Sequence, residues 1–216
     1  MGYSQNGLPV DEDTHVNPVY NTEYERTKSL AEKTALSYCS SEMDVIIVNP
    51  TRVFGPGKLT ISNSVTKIIK LYNRGIWRII PGDGEAIANY AFIDDVVSGH
   101  ILAARFGVSG ERYILGGENL SYHDFFRICG EVSGKRRKLF LIKELSLKRI
   151  VSLAGLYSRL VGHHAVITKE WIDKYLKNWN VSSNKAQSQL NYKITPFEEG
   201  IRKTLLWLKS NQKKFN

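Results

Sequence analysis

The apolar positions of this chain fall into short continuous runs and helical stripes that succeed one another. Val45-Ile46-Ile47-Val48 is an unbroken apolar run rich in β-branched residues, the pattern of a short strand covered on both faces in a parallel sheet. It leads into Asn49-Pro50-Thr51-Arg52-Val53-Phe54-Gly55-Pro56-Gly57, read as a loop at the strand's carboxyl end. Ahead of it, Thr22-Glu23-Tyr24-Glu25 has the form of a capping box and predicts a helix to about residue 40. Farther on, the pattern predicts a helix over 63–73 closing at Gly75, short strands over 77–80 and 90–93, and a helix over 94–106 with acidic residues in its first turn. A strand over 112–115 follows. Ser121-Tyr122-His123-Asp124 then opens a helix to about Val132, and the remainder reads as mostly helical. Thr195-Pro196-Phe197-Glu198 places Thr at an N-cap and Pro at the first helical position. The first twenty residues are turn-rich and polar and read as a loop. Strands alternating with helices indicate an α/β protein.

Composition narrows the class. With 216 residues and 42% apolar content, the chain can bury a sizeable core. No apolar run reaches the length of a membrane span; the nearest, 145–161, contains Lys148, Arg149 and Arg159. That stretch suits core or a pocket lid better than a membrane surface. Two cysteines, Cys39 and Cys129, form neither a disulfide framework nor a metal spacing. These features, with an N-terminus lacking the apolar core of a signal peptide, predict a cytoplasmic protein with no membrane partner. The net charge of +9 fits either a solvated basic surface or attraction to an anion; no nucleic-acid module accompanies it, so no nucleic-acid partner is expected. His163-His164 lacks a third ligand at metal spacing, so no metal site is expected. Trp171, Trp179 and Trp207 read as packing residues.

The candidate chemistry lies on the first helix. Tyr24, Lys28, Ala31, Ala35 and Tyr38 share one stripe whose downstream part is apolar and is expected to face the sheet. Lys28 would sit at the edge of that face, one turn beyond a tyrosine. Snorkelling of the ammonium to solvent accounts for such a lysine. So does chemistry: a cation about 6 Å from a phenol, at an effective dielectric near 20, favours phenolate by roughly two pKa units. A phenol so placed can exchange a proton with a substrate hydroxyl or carbonyl.

Several segments in order resemble the extended short-chain dehydrogenase/reductases of the NAD-dependent epimerase/dehydratase family. Tyr24-Glu25-Arg26-Thr27-Lys28 is similar to their Tyr-x-x-x-Lys signature. Asn49 to Gly57 is similar to their Pro-x-x-Val-Tyr-Gly-Pro-Gly loop, with Phe54 where Tyr is usual. Asn89 to Val97, Tyr113 to Asn119, and Ser188 to Tyr192 fall in family order. The resemblance implies the C-terminal part of a Rossmann-type fold plus a mainly helical substrate-binding domain. Residues 1–58 would be the remaining Rossmann part, and 59–216 mostly substrate domain, with 86–117 returning to the sheet. It implies NAD or NADP as cofactor and Tyr24 as acid/base. Lys28 would tune the phenol and hold the ribose, with Pro50, Thr51, Arg52 and Val53 beside the nicotinamide. Asn63 and Tyr90 would be substrate contacts, although Asn63 also suits a helix cap, Tyr90 core, and Gly55-Pro56-Gly57 a structural turn.

No Gly-x-Gly-x-x-Gly follows a strand here. The resemblance begins after the strand that carries a Ser or Thr in the family, and Ser4 lies downstream of that position. It therefore implies a portion lacking the dinucleotide-binding half and binding dinucleotide weakly alone, with a homodimer allowed at full length. Sugar epimerases of the family hold a diphosphate with an Arg where Asn89 stands, which disfavours that substrate class. Asn89 with Gly116-Gly117-Glu118-Asn119 is closer to the dihydroflavonol-reductase-like branch, which implies reduction of a ketone or aldehyde, or oxidation of an alcohol. A nucleotide-sugar epimerase or dehydratase and a non-catalytic module are the alternatives.

Overall fold

A computed structural model describes Ser4 and residues 7–14, 22–59, 63–149 and 175–211. The elements named here are α1 (Glu23–Ser37), β1 (Ile47–Pro50), β2 (Arg52–Phe54), α2 (Ser64–Asn73), β3 (Ile79–Pro81), β4 (Ile87–Phe92), α3 (Ile93–Phe106), β5 (Arg112–Leu115), β6 (Glu118–Ser121), α4 (Tyr122–Ser133), β7 (Phe140–Ile142), α5 (Asn184–Leu190) and α6 (Phe197–Ser210). β1 pairs in parallel with β5, and β3 in parallel with β7. In the third sheet β4 lies between β2, parallel to it, and β6, antiparallel.

Two of these strands change partners in mid-course. The chain leaves β1 at Pro50 and enters β2 at Arg52, moving from β5 to β4. It leaves β5 at Leu115 and enters β6 at Glu118, moving from β1 to β4. β4 is thus wedged into a fork whose crotch is formed by Thr51 and Gly116-Gly117. A β-carbon on Gly117 would collide with the Tyr90 carbonyl, so the close approach of the two backbones requires glycine there.

Local signals account for the helix boundaries. Thr22 caps α1, its hydroxyl accepting from Glu25 N at 3.2 Å, and Ser121 caps α4 by accepting from Asp124 N at 3.0 Å. α4 stops at Gly134, whose φ of 65° provides the left-handed residue that ends many helices. Buried positions follow the helical stripe: Val65, Ile69 and Tyr72 on α2; Tyr122, Phe125, Phe126 and Cys129 on α4; Phe197, Ile201, Thr204 and Leu208 on α6. Together with Phe54, Tyr90 and Phe92 most of these side chains form one aromatic-rich core. Ring centroids stand 4.9 Å apart for Phe54–Phe197, 4.8 Å for Tyr90–Phe125 and 5.3 Å for Phe125–Phe197, within the range of favourable tilted packing. A smaller cluster joins Ala103, Tyr113, Leu115, Ala186, Leu190 and Tyr192.

The structure corrects several expectations. β1 starts two residues later than the apolar run, and its first three residues are half-buried and Pro50 exposed rather than covered on both faces. β2, β6 and β7 are strands that no periodic signal announced, because each is only three or four residues long and is made by pairing. Residues 176–183 and 191–196 contain no helix, so the C-terminal part is less helical than the sequence suggests. Thr195 does not cap α6. Its N–H and hydroxyl both donate to the Asp95 carboxylate, each at 2.7 Å, and the helix begins beyond Pro196. His163-His164, Trp171 and most of the 145–161 stretch lie outside the described residues.

Candidate active site

α1 carries no buried residue. Ala31 and Tyr38, expected to face the sheet, are exposed, because among the described residues no layer lies against that stripe. The helix is held instead by polar pins. Asn49 Nδ2, on β1, donates to Glu32 Oε1 at 2.7 Å, and Arg112 on β5 approaches the same carboxylate at 3.8 Å. Cys39 Sγ, just past the helix, contacts Ser109 Oγ at 3.1 Å. Glu32 lies one turn beyond Lys28 and two beyond Tyr24 on the same side, so the fastening at the end of β1 orients the Tyr24–Lys28 stripe. Lys28 Nζ stands 5.7 Å from the centre of the Tyr24 ring. Both side chains are exposed, Tyr24 to 65%. The ammonium therefore reaches solvent and faces the phenol at once.

The loop residues divide between two environments. Thr51 donates its hydroxyl to Asn89 Oδ1 at 2.7 Å, and its N–H to Leu115 O at 3.3 Å. Arg52 turns inward: its Nη1 donates to Tyr122 Oη at 3.2 Å, and its guanidinium carbon lies 4.7 Å from the centre of the Tyr175 ring. Burial works against the Arg52 charge, yet the phenol oxygens of Tyr122, Tyr90 and Tyr175 outweigh it and hold its pKa above the ordinary value. Burial pushes all three phenols up, and the guanidinium only partly offsets this, so they stay protonated at neutral pH. Tyr90 is 4% exposed within the aromatic core. Asn63 occupies the N-cap position of α2 without a side-chain capping bond. Gly55 and Gly57 have φ of 140° and 149°, and Thr66 Oγ1 accepts from Gly55 N at 3.1 Å. The segment is a pinned turn.

Asn89, which the sequence set against the diphosphate-holding Arg of sugar epimerases, is used for architecture. It is 2% exposed. Its Oδ1 accepts from Thr51 Oγ1 and from Gly117 N, both at 2.7 Å; its Nδ2 donates to Gly117 O at 2.8 Å and Asn119 Oδ1 at 2.9 Å. Every hydrogen-bonding capacity of the amide is used inside the fork, leaving none for a substrate phosphate. The one available signal was an amide in the middle of an otherwise apolar strand, Ile87-Ala88-Asn89-Tyr90-Ala91-Phe92. Asp95, which fastens α3 to the start of α6, was likewise read only as a helix-start charge.

The model of the NAD-dependent epimerase/dehydratase family matches residues 2–116. The chain belongs to that family. Curated relatives include short-chain dehydrogenase/reductase family 42E member 1 of Bos taurus, 26% identical over 219 residues, covering 91% of this chain and 53% of the relative. The 3beta-hydroxysteroid-dehydrogenase/decarboxylase isoform 1 of Arabidopsis thaliana is 26% identical over 215 residues, covering 92% and 48%. Of solved structures, gox2253 superposes with a TM-score of 0.76 at 28% identity, covering 98% of this chain and 63% of that one. UDP-glucuronic acid 4-epimerase from Bacillus cereus, in complex with NAD, gives 0.70 at 20% identity, covering 96% and 58%. The fold is therefore the Rossmann-type α/β fold of this family's members. The chain spans about half the length of the curated relatives it matches.

NAD is the cofactor that the family's description names. Tyr24 and Lys28 suit its nicotinamide-ribose end, since an exposed ammonium and phenol face each other and have hydrogen-bonding capacity to spare. Among the described residues no glycine-rich strand–turn–helix supplies a pyrophosphate cradle. Among them, also, no cluster of three metal-ligating side chains occurs, and no helix is long and apolar enough to cross a membrane.

Proposed function

We propose that this chain is the part of an NAD(P)-dependent oxidoreductase that carries the acid/base helix, and that the enzyme interconverts an alcohol with its ketone or aldehyde. The supporting observation is the Lys28 ammonium 5.7 Å from the Tyr24 ring on an exposed helix face. Tyr24 Oη gives a proton to the substrate carbonyl oxygen in reduction and takes it from the hydroxyl in oxidation. Lys28, one helical turn along, holds the ribose hydroxyls. The bound cofactor would supply or accept the hydride. Asn49 and Glu32 keep the helix aligned with the loop after β1, whose Pro50, Thr51 and Val53 would flank the nicotinamide. Arg52 is reassigned: its side chain enters the Tyr90, Tyr122 and Tyr175 cluster and braces the substrate side of that loop, with Asn63 at the adjoining helix start.

Relatives named as hydroxysteroid and sterol-carboxylate dehydrogenases favour a bulky secondary alcohol as the substrate class. A nucleotide-sugar epimerase is the second reading, prompted by the solved structures, but the saturated Asn89 side chain speaks against it. The test is turnover of the full-length gene product with NAD and NADP on cyclic alcohols, ketones and nucleotide sugars. Tyr24→Phe should lower kcat at least about 100-fold, the usual worth of general acid/base catalysis, while melting stays unchanged because the side chain is exposed. Undiminished turnover in Tyr24→Phe would sink the proposal.

A further inference from the structure

A second concavity lies away from α1. The C-terminal ends of α2 and α4 and the outer part of α6 enclose a cleft of about 710 Å³, lined by Lys70, Arg74, Lys135, Arg202 and Lys209 around Val132, Leu205 and Leu206. It shares no residue with the Tyr24–Lys28 pair. Its volume is that of a small-molecule site.

The lining is unbalanced in charge. Among the described residues, five basic side chains reach it and no acidic one does. Arg202 is neutralised by Glu198 at 2.6 Å on its own helix. Arg74, Lys135 and Lys209 have no carboxylate within ion-pair distance among the described residues, although exposed charges on this chain are elsewhere commonly paired with one. Nearby, Arg137 Nη2 donates to Asn73 O at 3.3 Å, and its buried Nε has no hydrogen-bond partner among the described residues. The centre of the cleft, by contrast, is apolar, and Leu206 is 63% exposed there. Among the described residues no aromatic ring lines it, so these offer no stacking platform for bases.

We propose that this cleft binds an amphiphilic phosphate: a phosphate ester whose anionic head is held by Arg74, Lys135 and Lys209 and whose hydrocarbon chain lies on Val132, Leu205 and Leu206. Bare phosphate would leave the apolar centre unused, and a neutral alcohol would leave the cations uncompensated. Such a ligand comes free in solution or as a lipid headgroup, and both present the same chemistry.

The experiment measures octyl phosphate binding to the full chain by calorimetry below its micellar concentration, beside inorganic phosphate and octanol. Sedimentation with phosphatidic acid vesicles against phosphatidylcholine vesicles forms the second arm. Octyl phosphate, or the phosphatidic acid vesicle, should bind at least tenfold more tightly than its controls. The combined variant Arg74→Glu, Lys135→Glu, Lys209→Glu should lose at least tenfold, the scale of several exposed charge contacts removed together, and Leu206→Asp should weaken the octyl phosphate arm. A charge-keeping variant, Arg74→Lys with Lys135→Arg and Lys209→Arg, should retain binding, and the melting temperature of each variant reports folding. Which arm responds identifies the source. Absence of binding in both arms, or binding unchanged in the charge-reversed protein, overturns the proposal.

Discussion

Replacing Asn89 by leucine tests the fork directly. The substitution keeps the branching and the number of side-chain heavy atoms but deletes four hydrogen bonds. Two of the abandoned partners recover: Asn119 Oδ1 still accepts from Val181 N at 3.0 Å, and the Thr51 hydroxyl is near enough to the surface to reach water. The N–H and C=O of Gly117 do not, because they face the site of the lost amide. Stranding each costs about 1–2 kcal/mol, at the lower end of the range because Gly117 is only partly buried. Added burial of the leucine returns about 1 kcal/mol. The net loss is about 1–3 kcal/mol, which for a chain of this size lowers Tm by roughly 6 °C. Differential scanning calorimetry of the two proteins at pH 7 measures it. A shift smaller than about 2 °C would show that the amide does not close the fork. A raised KM with unmoved melting would show instead that Asn89 faces substrate, and would restore the nucleotide-sugar reading.

Two further outcomes follow from the same geometry. Asp95→Ala removes both bonds to Thr195 and should cost about 2–4 kcal/mol in urea unfolding, given the strength of hydrogen bonds to a charged acceptor; unchanged stability would deny the link between α3 and α6. Glu111 has its pKa lowered from 4.5 by the hydrogen bond and charge of Lys185, 2.5 Å away. A depressed carboxylate stabilises the fold above its unfolded pKa, and that stabilisation is lost as pH falls through the folded value. Lys185→Met should therefore melt below the parent at pH 7 and converge with it in acid; a gap that persists at pH 3 would refute the pairing.

What the sequence disclosed was chiefly local. Thr22 and Ser121 announce their helices because a cap is satisfied within three residues, and α2, α4 and α6 show their buried stripes because each faces one core. The partner-switching of β1–β2 and β5–β6 was invisible, since a three-residue strand such as Arg52–Phe54 exists only where β4 meets it. Side-chain destinations were equally hidden. Arg52 lies within the loop motif, yet its guanidinium goes to phenols contributed by residues 38, 70 and 123 positions away, and Thr195 looked like a cap because nothing nearby in sequence betrays Asp95 as its partner. The Tyr24–Lys28 pairing was legible for the opposite reason: one helical turn is a local distance.

The polar fastening of α1 gives Tyr24 a lever arm. Glu32 is the pivot, gripped by Asn49, and Tyr24 lies eight residues away, about 12 Å along the axis. A tilt of about 5° about that pivot swings the phenol by on the order of 1 Å, a displacement that can cost two orders of magnitude in rate. Under the proposed function, the aim of Tyr24 rests on the contacts of Glu32 with Asn49 and Arg112 and of Cys39 with Ser109.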